Sequence, residues 1–460
     1  MTEVLEPDVP EQDEGYALDG KVLSAVHLAV ATGDRDRLHE LFEPLHAADI
    51  ADILEQVPEA ERREILLFAH DLVDGEVLSE LDEGLREEVI AFLPAEALGE
   101  AVRELDTDDV VDLLEDLEEP QQQALLDELE DADRAAVEHA LSYPETSAGR
   151  LMQREVVVAP EHWDVGDTID FLRAHDDLPD QFYHIILVDP RHRPTGYVTL
   201  GKLMGSRRGV KLTEILEDSF RTIPATQDEG EVAYAFNQYH LISAPVVDED
   251  GRLVGVITID DAMIVLDEEH EEDILRLAGV NEGRLSDKVI DRTQRRFPWL
   301  AVNLGTAILA SLVIAQFEAA IAQIVALAVL MPIVASMGGN AGTQSLTVAV
   351  RAIATKDLTG ENVWRVIRRE AAVGLLNGLA FAVIMGIVGV VWFGLPMLGV
   401  VIAVAMVVNL VVAGLAGIGI PVVLEKLGVD PALASGAFVT TVTDVVGFFA
   451  FLGLAVVLLL

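Results

Sequence analysis

The sequence predicts a multidomain chain: an all-α superhelical array at the N-terminus, an α/β pair of repeated modules, a connecting helix, and a membrane domain of five helices. Three observations predict it. The charge is confined to the front of the chain, two internal repeats occupy that front, and the remainder is a series of long apolar stretches. The implied divisions are an acidic tail over 1–19, the helical array over 20–148, the module pair over 149–266, the connecting segment over 267–296 and the membrane domain over 297–460.

The chain has 460 residues, 51% of them hydrophobic, yet carries 79 Asp and Glu against 31 Lys and Arg. From Phe297 onward only 6 basic and 7 acidic residues occur, leaving 25 basic and 72 acidic residues before it. One globular domain does not combine such a surface with such an apolar tail, so an acidic soluble half joins a membrane half. That charge repels phosphates and excludes a nucleic-acid partner. No cysteine is present, which excludes thiolate metal sites, Cys nucleophiles and disulfides. The N-terminal MTEVLEPDVPEQDE has no apolar core, so it is expected to be no signal peptide and the soluble half to stay in the cytoplasm.

Residues 45–69 and 105–129 match at a 60-residue offset, sharing L-x-x-x-D-hydrophobic-x-D-hydrophobic-L-E before Pro58 and Pro120. A fixed period of this kind predicts stacked helical units. The densest acidic run follows in the second copy: Asp106, Asp108, Asp109, Asp112, Glu115, Asp116, Glu118 and Glu119. For any one of these the expectation is a solvated helix face.

Strand-like runs then appear at 156–159, 184–189, 195–200, 243–248 and 253–259, alternating with helical stretches. YHIILVDPRHRPTGYVTLGKLM and ISAPVVDEDGRLVGVITIDDAM are two copies in which Gly196 matches Gly255. The pair resembles tandem CBS modules, a regulatory α/β fold. The resemblance implies an adenine nucleotide such as ATP against a Thr-x-x-Asp pattern, which Thr258 and Asp261 fit. The first copy departs, with Lys202 following Thr199, so one site at most is implied. Gly196–Lys202 also has P-loop spacing, but Leu203 replaces the Ser or Thr that would ligate Mg²⁺, and the match is accidental.

Five apolar stretches, approximately 297–317, 319–340, 371–393, 397–424 and 432–458, can each cross a hydrocarbon core of roughly 30 Å. Arg292, Arg295 and Arg296 precede the first, five basic residues lie between the second and third, and Lys426 lies between the fourth and fifth. The positive-inside rule then predicts a multi-pass protein of the cytoplasmic membrane, N-terminus inside and C-terminus outside. Asp444 is the only ionisable side chain well inside a span, with Thr440 and Thr441 on its helical face. Ser336, Asn340, Thr343, Gln344 and Thr347 follow one helical stripe, flanked by Gly338, Gly339 and Gly342. With no basic partner in any span, Asp444 and the Asn340 stripe are expected to mark a permeation path. Asn303, Asn377 and Asn409 are expected to make interhelical hydrogen bonds.

All 11 histidines lie at or before His270, so the spans offer oxygen ligands alone. That argues against zinc, copper or iron and for a hard cation. One carboxylate is too sparse for dehydrated Ca²⁺, whereas Mg²⁺ sheds water reluctantly and can be held with its shell intact. Five spans with one Asp make a thin pore, which a dimer would complete.

The GGNAGTQ of residues 338–344, the TTVTD of 440–444 and the acidic soluble half ahead of them resemble the MgtE family of magnesium channels, in domain order as well as motif. The resemblance implies a homodimer in the lipid bilayer, a pore on its axis, and recognition of hydrated Mg²⁺ by Asp444. It implies that Asn340, Gly338, Gly339 and Gln344 line the path and that 267–296 holds a plug helix at the cytoplasmic mouth. Asp430 matches a family position there. The expected activity is a Mg²⁺-gated Mg²⁺ channel, not an enzyme. In it cytoplasmic Mg²⁺ bridges carboxylates drawn from Asp109, Asp112, Asp260, Asp261, Glu268, Glu269, Glu271, Glu272, Asp273 and Asp430. The alternatives are a secondary transporter of Mg²⁺ or another divalent cation coupled to Na⁺ or H⁺, and a membrane-anchored nucleotide sensor. Some of the carboxylates would serve solvation alone, because such a surface also suits high salt.

Overall fold

Short helices separated by Pro, Gly and Asp punctuate the front of the chain, and several of them are capped by the side chain just ahead of their first turn. The computed structural model describes residues 20–460 except 104, 116, 118, 176–177, 180–181, 219 and 281–288. The acidic tail, Asp116 and Glu118 of the acidic run, and part of the connecting segment therefore lie outside the described residues. The chain divides into two units between Glu268 and Glu269.

The first unit opens with α1 (Gly20–Thr32), α2 (Arg35–Phe42), α3 (Ala47–Gln56), α4 (Glu59–Ala69), α5 (Gly75–Ser79), α6 (Glu83–Phe92), α7 (Ala95–Arg103), α8 (Thr107–Glu115), α9 (Glu119–Leu126) and α10 (Asp131–Ala140). Asp34, Asp74 and Asp82 accept from the first-turn amides of α2, α5 and α6. These caps satisfy donors that a helix start otherwise leaves orphaned. One continuous apolar core, from Val26 to Ala140, runs through the stack. The 60-residue repeat is structural: α3–α4 recurs as α8–α9. Arg62 donates to the Leu54 carbonyl at 2.6 Å, and Gln122, 60 residues on, donates to the Leu114 carbonyl at 2.8 Å. A long polar side chain thus closes the same carbonyl end in both copies.

The two modules repeat one another. The first holds β1 (Val158–Pro160), α11 (Val165–Ala174), β2 (His184–Val188), β3 (Pro194–Thr199) and α12 (Leu200–Gly205). The second holds β4 (Ile223–Pro224), α13 (Glu229–Tyr239), β5 (Ser243–Val247), β6 (Leu253–Thr258) and α14 (Ile259–Leu277). Each sheet has one parallel and one antiparallel pairing, in the orders β1-β2-β3 and β4-β5-β6. Gly196 pairs with Leu187 as Gly255 pairs with Val246, and both ladders shift register at the next residue. The two-residue β4 carries too short a pattern to be read from sequence. Lys202, the last residue of the P-loop-like stretch, sits in α12 and pairs with Glu217 at 3.0 Å.

The second unit contains α15 (Val289–Ala315), α16 (Glu318–Gln323), α17 (Ala326–Ala354), α18 (Val363–Phe393), α19 (Pro396–Lys426) and α20 (Pro431–Leu459). Five of these are long and apolar enough to cross a membrane. The predicted second span, 319–340, needs correction. Residues 318–323 form the separate α16, and α17 starts at Ala326 and carries GGNAGTQSLTVAV unbroken to Ala354. Its glycines and hydroxyls interrupt apolar periodicity but not the helix, as membrane helices allow. The most apolar helix, α19, is also the most enclosed, with α17, α18 and α20 packed on it. Gly374 and Gly378 let α18 approach closely, since a Cβ there would fall 2.4 Å from the Leu410 carbonyl and 2.9 Å from Val407 Cα. Small residues permit such backbone contact between membrane helices. Along α20 runs α15, whose other faces are exposed.

Candidate functional site

The α17 helix has two chemically distinct sides. Val334, Gly338, Gly342, Ser345 and Leu346 are buried, whereas Ser336, Asn340, Thr343, Gln344 and Thr347 are exposed. The polar stripe therefore faces away from the chain's own bundle. The adjacent glycines divide between these sides. A Cβ on Gly338 would lie 2.2 Å from Asn409 Nδ2, while Gly339 has nothing within 4 Å. Gly338 is thus occupied with packing, unlike its neighbour. Asn409 is fully buried in α19 and donates to the Val334 carbonyl at 2.8 Å, an interhelical bond as expected. Asn303 and Asn377 lie on exposed faces instead.

Contacts with α20 set the depth of the stripe. Asn409 also packs on Gly447, and Gly342 packs on Val439 and Thr443. The helices run antiparallel there, and Asn340, between Gly338 and Gly342, is level with the turn that carries Asp444. Asp444 and Thr441 are half-buried and Thr440 is exposed. Thr440 and Thr441 each donate to the carbonyl four residues back, at 2.9 and 2.6 Å. Their hydroxyl protons are used, so their lone pairs remain as acceptors for water.

At the start of α20, Asp430 Oδ1 accepts from the Ala432 amide at 2.7 Å. Its other oxygen lies 3.4 Å from Arg276, on the last turn of α14, and Arg276 also pairs with Glu272 at 2.5 Å. Leu277 packs beside Leu346, Val350, Ala432 and Val439. Burial, then the nearby Asp430 charge, raises the Asp273 carboxyl above its ordinary range. Among the anticipated acids, Glu272, Asp273 and Asp430 come together here. Arg276 was missed, since a search for carboxylates passes over their counter-ion.

In the first unit, Asp106, Asp108, Asp109, Asp112, Glu115, Asp260, Asp261 and Glu268 line one cavity of about 340 Å³, with Arg86 and Arg150 on its wall. Arg86 pairs with Asp112 at 2.6 Å. Asp108 is buried, not solvated as the acidic run suggested, and was absent from the anticipated acids. Burial and then Asp261 push its carboxyl well above the usual range. The same causes raise Asp109 to about 7. Burial also raises Asp261, which accepts from the Thr258 hydroxyl at 2.5 Å. Hard oxygen donors held at this mutual cost suit a divalent cation. Among the described residues, however, no three acidic or His side chains are gathered tightly enough to hold a metal. Thr258 itself borders a different space, a cleft of about 30 Å³ shared with Tyr183, His184 and Ser243.

The profile of the divalent cation transporter family MgtE matches residues 331–454, that of the MgtE intracellular N domain 45–146, and that of the CBS domain 148–209 and 212–268. The magnesium transporter MgtE of Thermus thermophilus is 35% identical over 452 residues, 96% of this chain and 99% of that protein. Its Bacillus subtilis counterpart is 32% identical over 351 residues, 76% of this chain and 78% of that protein. A solved structure of the cytosolic domain of the Mg²⁺ channel MgtE in complex with ATP is 32% identical, covers 53% of this chain and 100% of that one, and has a TM-score of 0.49. Fold and relatives together define a membrane cation transporter with an attached tandem CBS pair. The chain belongs to the MgtE family of magnesium transporters.

Proposed function

We propose that this protein is a Mg²⁺-selective channel of the cytoplasmic membrane, assembled as a homodimer and closed by cytoplasmic Mg²⁺. The observation that carries it is the exposed polar face of α17, level with the carboxylate of α20. A polar helix face at membrane depth is costly against lipid and is expected to line water or protein. A second copy would supply the opposite wall, pairing two Asp444 about one axis. Asp444, the amides of Asn340 and Gln344 and the lone pairs of Thr440 and Thr441 would accept from the water shell of Mg²⁺. Gly339 would let that shell approach the backbone.

For gating, Asp108, Asp109 and Asp112 of α8 and Asp260 and Asp261 of α14 would hold regulatory Mg²⁺. Their mutual repulsion would favour separation without it, giving a two-state equilibrium biased by differential binding. Glu269 and Glu271 would act more weakly, through exposed positions on α14. By likeness to the ATP-bound relative, the CBS pair would take an adenine nucleotide beside Thr258, with Asp261 behind it. The cleft would have to widen for that, starting from its exposed wall residue Tyr183.

Flux into liposomes tests the transport reading. A channel shows a reversal potential that follows the Mg²⁺ gradient alone. Dependence on a Na⁺ or H⁺ gradient would establish the coupled transporter instead, and absence of Mg²⁺ flux would leave only a sensor.

A further inference from the structure

The first two turns of α18 present Trp364, Arg365, Arg368 and Arg369 on the side turned away from the bundle. All four are exposed, Trp364 at 69%. Trp364 with Arg368 and Arg365 with Arg369 are four apart, so the four form one patch two residues wide. The opposite face, Val363, Val366 and Ile367, packs on Leu358, Ile418 and Val422. In a chain with 79 carboxylates, none of these arginines forms an ion pair among the described residues. Arg368 donates only to the Trp364 carbonyl, at 3.3 Å.

Followed along the helix, the same exposed side turns apolar within two turns: Leu376, Leu379, Val383 and Ile387 are 68%, 51%, 64% and 59% exposed. Guanidinium groups and an indole stand beside a bare aliphatic surface on one continuous helix face. We propose that this face docks an anionic phospholipid, with the arginines on the headgroup phosphate and the aliphatic residues along an acyl chain. Charge complementarity selects the headgroup. Arginine can engage phosphate through two parallel hydrogen bonds. An indole prefers the membrane–water boundary. Two crossings separate this patch from the start of α15, so it meets the same leaflet as that end. There it would anchor α18, and through α18 the packed α19, against the repulsion between an anionic membrane and an acidic chain.

The test uses the full-length protein in mild detergent, with dioleoyl-phosphatidylglycerol, dioleoyl-phosphatidylcholine or inorganic phosphate added at fixed ionic strength. Retained lipid is counted by native mass spectrometry and the melting temperature is recorded. Phosphatidylglycerol is expected to be retained and to raise the melting temperature, and phosphate at equal concentration to do neither. Each Arg→Gln change at 365, 368 or 369 should reduce the preference for phosphatidylglycerol by roughly fivefold, equivalent to about 1 kcal/mol. Equal retention of both lipids by the wild type would overturn the proposal, and this reading needs no variant to fold. Undiminished preference in Arg365→Gln/Arg369→Gln would overturn the assignment to these side chains. Stabilisation by phosphate alone would make the patch a free-anion site instead. None of these readouts depends on transport, so failure here leaves the channel reading intact, and the reverse holds.

Discussion

The guanidinium of Arg276 stands 3.4 Å from the Asp430 carboxylate, joining the last turn of α14 to the first turn of α20 within one unit. Both side chains are about one-third exposed and Glu272 shares the arginine, so the contact is a small network rather than an isolated surface pair. Such networks are worth more than single exposed pairs, though still on the order of 1 kcal/mol. Asp430 would otherwise be free to ligate a cation there. Replacing Arg276 by Gln is therefore expected to loosen α14 in low Mg²⁺ and to make closure depend more steeply on added Mg²⁺. Single-channel open probability across a Mg²⁺ series measures this. Identical titration curves for the two proteins would show the ion pair to be idle in gating.

Asp444 is expected to be essential for conduction but not for folding, being only half-buried, unlike its fully buried neighbour Thr443. Asp444→Ala should abolish Mg²⁺ flux in liposomes while leaving the gel-filtration profile unchanged. Asp444→Asn should lose less, because an amide oxygen still accepts from bound water. Wild-type flux through the alanine variant would remove the carboxylate from the path.

How much of this was legible in the sequence differs between the two units. The five spans, the module pair and the 60-residue repeat were visible because each depends on local periodicity. The start of α17 was not. Apolar composition continues from α16 across residues 324–325, and only a non-helical backbone turn at Ile324 separates the helices. Asp108 was hidden for a similar reason: one acid among eight in a run looks solvated until α14 covers it. The division of Gly338 from Gly339 was equally invisible, since what separates them is Asn409, about 70 residues away.

The raised carboxylates predict a pH dependence whose sign is fixed. Asp109 lies near 7 when folded, against an ordinary value near 4, and Asp108 and Asp261 shift the same way. The folded state thus binds more protons than the unfolded state between about 4 and 7, and stability falls as pH rises through that window. The cost is complete above about 7 and absent below about 4. Mg²⁺ would compete with those protons, so its protection against protease should be large at pH 8 and small at pH 5.5, at fixed ionic strength. Equal protection at both pH values would point to screening of the surface charge. Asp108→Asn with Asp109→Asn should raise stability without Mg²⁺ and flatten the pH response.

The adjacent glycines of α17 offer a test that separates packing from permeation within one dipeptide. A methyl group on Gly338 has no room, because the Asn409 amide occupies that point and is itself held by the Val334 carbonyl. Accommodation would require Asn409 to rotate, breaking a buried interhelical hydrogen bond, or α17 to move off α19. Overpacking of this kind costs about 1–3 kcal/mol. Gly338→Ala should therefore lower the thermal midpoint in detergent by several degrees. A methyl group on Gly339 meets nothing within 4 Å in the single chain, so Gly339→Ala should leave that midpoint unchanged. If the exposed face lines the pore, the same methyl narrows the path beside Asn340 at the depth of Asp444. Unit conductance should then fall in Gly339→Ala, with unchanged stability of the dimer. In Gly338→Ala, conductance of the surviving channels should stay near that of the wild type. The opposite pattern, a stable Gly338→Ala with reduced conductance beside a destabilised Gly339→Ala, would reverse the two faces of the helix and with them the proposed path.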